Sequence, residues 1–152
     1  MAGTVLGFDY GRRYIGIAVG QTLTGSSNAL KSLIVPASGR LPWSEIEALC
    51  TEWNPGHLVV GLPCHLDGNE SNLAREARGF AKRLERRLQR PVSLWNEALS
   101  TEAAREALAN ERHNNAHQKR PDRARLNAEA ARTILEGWLT ATDRGTTEPS
   151  HD

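Results

Sequence analysis

The chain opens with two apolar runs separated by a tight bend, and an aspartate stands where the first run ends. Val5-Leu6-Gly7-Phe8-Asp9 reads as a buried strand and Tyr14-Ile15-Gly16-Ile17-Ala18-Val19 as its partner, with Gly11-Arg12-Arg13 forming the bend. A hairpin of this kind commits the chain to a sheet. Carboxylates are depleted from strands and are almost never fully buried without a partner. A charge at this place therefore requires a cation or several donors to offset its desolvation. Gly11 supplies the backbone freedom of a tight turn and leaves room for a ligand near the backbone. Two readings of Asp9 stay open on position alone: it caps the amides of the turn, or it belongs to a functional site.

Composition narrows the class. A chain of 152 residues is one domain with room for a real core. A hydrophobic content of 39% with 24% charged residues describes a soluble globular protein. No apolar run approaches the roughly 20 residues of a membrane span, and the N-terminus lacks the pattern of a secretory signal. Cys50 and Cys64 make no metal-ligand spacing and read as reduced core thiols of a cytoplasmic protein. The net charge of +1 points to no partner by itself.

Along the chain, strands come first and helices later. Leu30 to Val35 reads as a third strand after a polar loop at Gly25 to Asn28. Ile46, Leu49, Cys50 and Trp53 form one helical face, which Asn54-Pro55-Gly56 stops. His57 to Leu62 has the nearly continuous apolar character of a central strand, and Pro63 to Asn69 reads as loop. A second helix over Ser71–Gln89 carries Leu73, Ala77, Phe80, Leu84 and Leu88 inward. Pro91 to Trp95 is a short strand with Asn96-Glu97 at its end, and Ser100 and Thr101 are N-cap candidates for a helix through about Asn110. A last helix over Arg123–Thr140 shows Leu126, Ala130, Ile134 and Trp138 on one face, and residues 141–152 read as a disordered polar tail. The order predicts an α/β architecture: a mixed five-stranded sheet, antiparallel at its start and then parallel, flanked by helices in a single domain over residues 1–140.

Ligands of open α/β sheets gather beyond the carboxyl ends of strands. Asp9 ends the first strand and Glu97 follows the last, so one crevice can hold both carboxylates. Two such groups repel unless a divalent cation lies between them, and oxygen-rich sites of this kind select Mg²⁺ or Mn²⁺. Taken alone, Glu97 equally suits a solvated acid near a helix N-terminus.

Leu6-Gly7-Phe8-Asp9-Tyr10-Gly11 with Ile15-Gly16-Ile17-Ala18-Val19-Gly20 resembles the opening of the YqgF-type family. Its members are bacterial RNase H-like proteins described as pre-16S rRNA processing nucleases and earlier as Holliday junction resolvases. Val59-Val60-Gly61-Leu62-Pro63 with Asp67-Gly68, then Trp95 to Thr101, then Ala128 to Leu139 resemble the family's later signatures, so the likeness covers roughly residues 3–140. The resemblance implies an RNase H-like fold and metal-assisted phosphodiester hydrolysis, with work on the 5′ end of pre-16S rRNA as the role. It makes Asp9 and Glu97 metal ligands and catalytic residues. The family's third acid falls on Asn127, and its usual Asp-Glu-Arg reads Asn96-Glu97-Ala98 here.

Asn127 has mechanistic consequences, because an amide oxygen can ligate Mg²⁺ but brings no charge. Glu129 lies about 200° around the helix and is no replacement, while Asp122 precedes the helix. An active nuclease with a weaker metal site, rescue by Asp122 and a silent nucleic-acid-binding protein all stay open; an actin-like ATPase relative is a more distant alternative. Between Arg75 and Arg90 stand seven basic residues against Glu76 and Glu85. The segment before the last helix adds Lys119, Arg120, Arg123 and Arg125, placed to clamp a phosphate backbone. Tyr10, Arg12 and Arg13 at the hairpin tip are further candidates for nucleic-acid contact, with RNA the expected partner and branched DNA the alternative. His113 and His117 have no accompanying ligand for zinc, and the four tryptophans read as core.

Overall fold

The computed structural model describes residues 3–62, 72–96 and 123–143. Five strands, β1 (Thr4–Asp9), β2 (Tyr14–Gln21), β3 (Ser26–Ile34), β4 (His57–Leu62) and β5 (Val92–Asn96), alternate with three helices among these residues. The helices are α1 (Trp43–Trp53), α2 (Asn72–Leu88) and α3 (Arg123–Asp143). The strands form one sheet in the order β3-β2-β1-β4-β5. β1–β2 and β2–β3 are antiparallel, and β1–β4 and β4–β5 are parallel. This is the mixed five-stranded sheet expected from the element order. β1 lies at its centre because its residues are apolar on both faces.

One face of the sheet carries Leu6, Phe8, Ile15, Ile17, Leu58 and Val60 against Ile46 and Leu49 of α1 and Phe80 and Leu84 of α2. Each of these side chains contributes about 1.5–3 kcal/mol on burial. Phe8 meets Phe80 edge-on, with ring centroids 5.8 Å apart. The other face is built differently. Val5, Ala18 and Val59 meet Ala131, Ile134, Leu135 and Leu139 of α3. Between them stand glycines that let the helix lie directly on the strands. A Cβ added at Gly7 would stand 3.0 Å from Leu135 Cβ, and one at Gly20 would stand 2.9 Å from Leu139 Cδ1.

Three expectations need correction. β3 begins at Ser26, so residues 26–28 are strand rather than loop. An edge strand is held by backbone pairing on one side and tolerates polar side chains on its open face. In α3 the buried line is Ala128, Ala131, Ile134, Leu135 and Leu139, while Leu126, Ala130 and Trp138 are only half-buried. The glycine-lined sheet admits the face with the alanines, one step around from the bulkier stripe. The helix also runs to Asp143, past Thr140.

The ends of α1 and α2 are tied together. Asn54 takes the left-handed conformation (φ 44°) and its N–H donates to Cys50 O at 2.8 Å. Arg90 donates from Nε to Pro55 O at 2.8 Å and from Nη2 to Asn54 Oδ1 at 3.0 Å. That basic residue therefore serves the fold rather than a solvated face. The tryptophans do pack against the two cores. Among the described residues no helix is long and apolar enough to cross a membrane. Residues 100–110 and 144–152, which carry the expected third helix and most of the tail, lie outside the described residues.

Candidate active site at the strand rim

β1, β4 and β5 run parallel, so their carboxyl ends share one rim of the sheet. Asp9 closes β1 there. Along a strand, alternate residues share a face, which puts Asp9 with Val5 and Gly7 on the side covered by α3. Asp9 pairs across the hairpin with Gly16. A Cβ on Gly16 would overlap the Asn127 carbonyl oxygen and stand only 3.1 Å from the Ala128 amide nitrogen. The first turns of α3 thus rest on the backbone opposite Asp9. The Asn127 backbone therefore lies against Gly16, the cross-strand partner of Asp9, at one end of the sheet, an approach that position 16 admits because it has no side chain.

Asn127 is half-buried and lies about 40° around the helix from Ala131, on the edge of the sheet-facing line. Glu129 is held elsewhere: Arg132 Nε donates to its Oε1 at 2.8 Å. That ion pair engages Glu129 with its own helix. Glu97 directly follows β5, whose end stands two strand spacings from β1, about 10 Å. Glu97 itself lies outside the described residues, as do Asp122, Lys119 and Arg120. Arg123 and Arg125 fall in the first turn of α3, and their side chains also lie outside the described set.

The hairpin tip is not a loose turn. Arg12 donates from Nε and Nη2 to both carboxylate oxygens of Glu76 on α2, at 2.9–3.2 Å. Tyr10 Oη donates to Glu76 Oε1 at 3.4 Å, and its ring packs on Phe80 with centroids 5.1 Å apart. Burial, and then the Glu76 charge, push the Tyr10 hydroxyl above its ordinary value, so it stays a donor at neutral pH. The hydrogen bond from Arg12 holds the Glu76 carboxyl below its usual range. Tyr10 and Arg12, expected to meet nucleic acid, are thus engaged with α2. Arg12 nonetheless keeps a side-chain exposure of 61%, and Arg13 is exposed.

Sequence reasoning missed Gly16 and Glu76. Gly7, Gly16, Ala18 and Gly20 share one face of the hairpin, a stripe of small residues that signals close approach of another element. Glu76 left no comparable signal, because an acid in a basic helix looks like an ordinary surface residue.

The oxygens that Asp9 and Asn127 bring to the rim are hard donors, the chemistry that Mg²⁺ or Mn²⁺ takes. Among the described residues no group of three or more His, Cys, Asp or Glu could hold a metal ion. The described residues therefore supply only part of a donor set for a divalent cation, and Glu97, the expected further ligand, lies outside them.

Comparisons with known proteins identify the family and the fold. The RuvX family, described as Holliday junction resolvase, matches residues 3–141. A protein of Saccharophagus degradans named "Putative pre-16S rRNA nuclease" is 40% identical over 136 residues, covering 89% of this chain and 92% of that protein. A protein of the same name from Azotobacter vinelandii is 39% identical over 142 residues, covering 93% and 96%. Among solved structures, Thermus thermophilus RuvC in complex with a Holliday junction substrate superposes with a TM-score of 0.62 at 18% identity, covering 96% of this chain and 98% of that one. The likeness places the fold among the RNase H-like proteins.

Proposed function

The chain belongs to the RuvX family of Holliday junction resolvases, and on that premise we propose that it is a divalent-metal-dependent nuclease that trims the 5′ end of pre-16S rRNA in the cytoplasm. The observation that carries this reading is the Asn127 backbone lying against Gly16, the cross-strand partner of Asp9, at the carboxyl-end rim. Bound Mg²⁺ or Mn²⁺ supplies a Lewis acid for a phosphoryl oxygen and lowers the pKa of water. The chain's own residues do the rest. Asp9 and Glu97 bring the negative oxygens that hold the cation, and Asn127 adds a neutral amide oxygen. The amino end of α3 faces the rim and favours negative charge arriving there. Lys119, Arg120, Arg123 and Arg125 neutralise substrate phosphates, and Arg13 does so at the hairpin tip.

The curated relatives' name favours RNA over branched DNA as the substrate. A second reading, a nucleic-acid-binding protein without catalysis, is favoured by one residue: Asn127 leaves the site with two formal negative charges rather than three. A cleavage assay separates the two. RNA carrying the pre-16S 5′ leader is incubated with the protein in Mn²⁺ or Mg²⁺. Cleavage that disappears with EDTA and in Asp9→Asn supports the nuclease. Tight RNA binding without cleavage by the wild type rejects it.

A further inference from the structure

On the α2 side of the rim, next to the hairpin tip, lies a pocket of about 220 Å³ lined by Tyr10, Leu41, Glu76, Gly79, Phe80 and Arg83. It is smaller than the roughly 300–1,000 Å³ of drug-sized ligand sites. Glu76, Gly79, Phe80 and Arg83 fall at i, i+3, i+4 and i+7, one line of α2 turned toward Tyr10 and Leu41.

Gly79 is the anomaly. It stands in the middle of a 17-residue helix, where glycine lowers stability relative to alanine. The packing gives no reason for it, since a Cβ there would meet nothing within 4 Å. Its backbone is helical, with no positive φ to favour glycine. What the missing side chain leaves is open space over the pocket. The walls around that space have a definite chemistry. Half-buried Tyr10 supplies aromatic surface, with the buried Phe80 ring behind it at 5.1 Å. The Glu76 carboxylate is neutralised by Arg12 at 2.9 Å. The Arg83 guanidinium makes no ion pair among the described residues, so the pocket keeps a net positive charge.

We propose that this pocket takes one unpaired nucleotide of the substrate strand, its base over Gly79 against the Tyr10 ring and its phosphate on Arg83. Tyr10 directly follows Asp9 but packs on the opposite, α2 side of the sheet, so the nucleotide held there sits across the rim from Asp9. A base can enter only when it is unstacked and unpaired, which makes the pocket select single-stranded RNA over duplex. The proposal rests on nucleic acid being the substrate, but not on cleavage.

Gly79→Leu tests it, because the substitution fills the pocket while improving helix propensity. Binding is read by anisotropy of a fluorescein-labelled single-stranded RNA and of its blunt duplex, both in EDTA. The variant is expected to bind the single strand about tenfold more weakly, to bind the duplex as wild type does, and to melt about 2–4 °C higher. Arg83→Ala is expected to weaken single-strand binding and reduce its salt slope by about one. Unchanged single-strand affinity in Gly79→Leu overturns the proposal. So does an equal loss for both RNA forms, or a fall in melting temperature, which would assign Gly79 to the fold. A wild type that binds but does not cut rejects the nuclease and leaves the pocket standing.

Discussion

Replacing Gly16 by alanine tests whether close approach of α3 to the hairpin assembles the site. The new Cβ would overlap the Asn127 carbonyl and stand 3.1 Å from the Ala128 nitrogen, against the about 3.5–4.0 Å of an optimal contact. The obstacle is helix backbone, which no rotamer change can remove, so the amino end of α3 has to retreat by more than about 1 Å. Overpacking of this kind costs about 1–3 kcal/mol, or roughly 2–12 °C in melting temperature for a chain of this length. A displacement of about 1 Å in a catalytic group can lower a rate about 100-fold. Gly20→Ala is the control for overpacking elsewhere under α3. Its Cβ would stand 2.9 Å from Leu139 Cδ1 and 3.0 Å from Leu135 Cδ2, at the far end of the same helix. Gly20→Ala should lose less stability by thermal melting, because the leucine methyls can rotate away and helix backbone cannot. Only Gly16→Ala should lose RNA cleavage by about two orders of magnitude. Equal cleavage rates in the two variants, at a temperature where both are folded, would refute the claim that the Gly16 contact positions Asn127.

Three other outcomes follow from the structure. His57 stacks on Trp138 at 4.9 Å and its Nε2 lies 2.7 Å from Ser93 Oγ; burial holds its pKa below the ordinary value. The unfolded chain therefore binds a proton that the folded one resists, so stability is full above about pH 6.5 and falls as pH drops below it. Melting temperatures across that range should show a shallower acid-side decline in His57→Phe, and parallel curves would contradict this. Glu76→Ala should leave the melting temperature within error, since the pair with Arg12 is exposed, while releasing Arg12 to tighten RNA binding at low salt; weaker binding would show that the pair orients Arg12 for RNA. Burial raises the pKa of the Cys50 thiol, so in a Cys64→Ser background iodoacetamide should label the native protein far more slowly than the unfolded one.

The sheet was legible in the sequence because its signals are local. The apolar runs at β1, β2 and β4, the stop at Asn54-Pro55-Gly56 and the helical spacing of α1 each depend on a few neighbouring residues. The start of β3 was not, since Ser26 to Asn28 owe their strand conformation to backbone pairing with β2. The inward line of α3 was misread for a related reason. Periodicity favours the bulky stripe through Leu126 and Trp138, whereas the partner surface, lined by Gly7, Gly16 and Gly20, admits small residues. At the candidate site, Asp9 was visible as a carboxylate ending an apolar strand. That the Asn127 backbone lies against Gly16, the cross-strand partner of Asp9, had no local signal. The Arg12–Glu76 pair spans 64 positions and had no pattern to announce it.

The central claim is that the rim is an oxygen site for a divalent cation in which Asn127 stands where a third carboxylate would complete the charge. Asn127→Asp adds that charge at nearly constant volume. Initial rates of RNA cleavage in Mn²⁺ should be higher for Asn127→Asp than for wild type, with the Mn²⁺ concentration at half-maximal rate shifted downward and Asp9→Asn inactive in both backgrounds. Rates and metal dependence unchanged by Asn127→Asp would place residue 127 away from the cation and contradict the account.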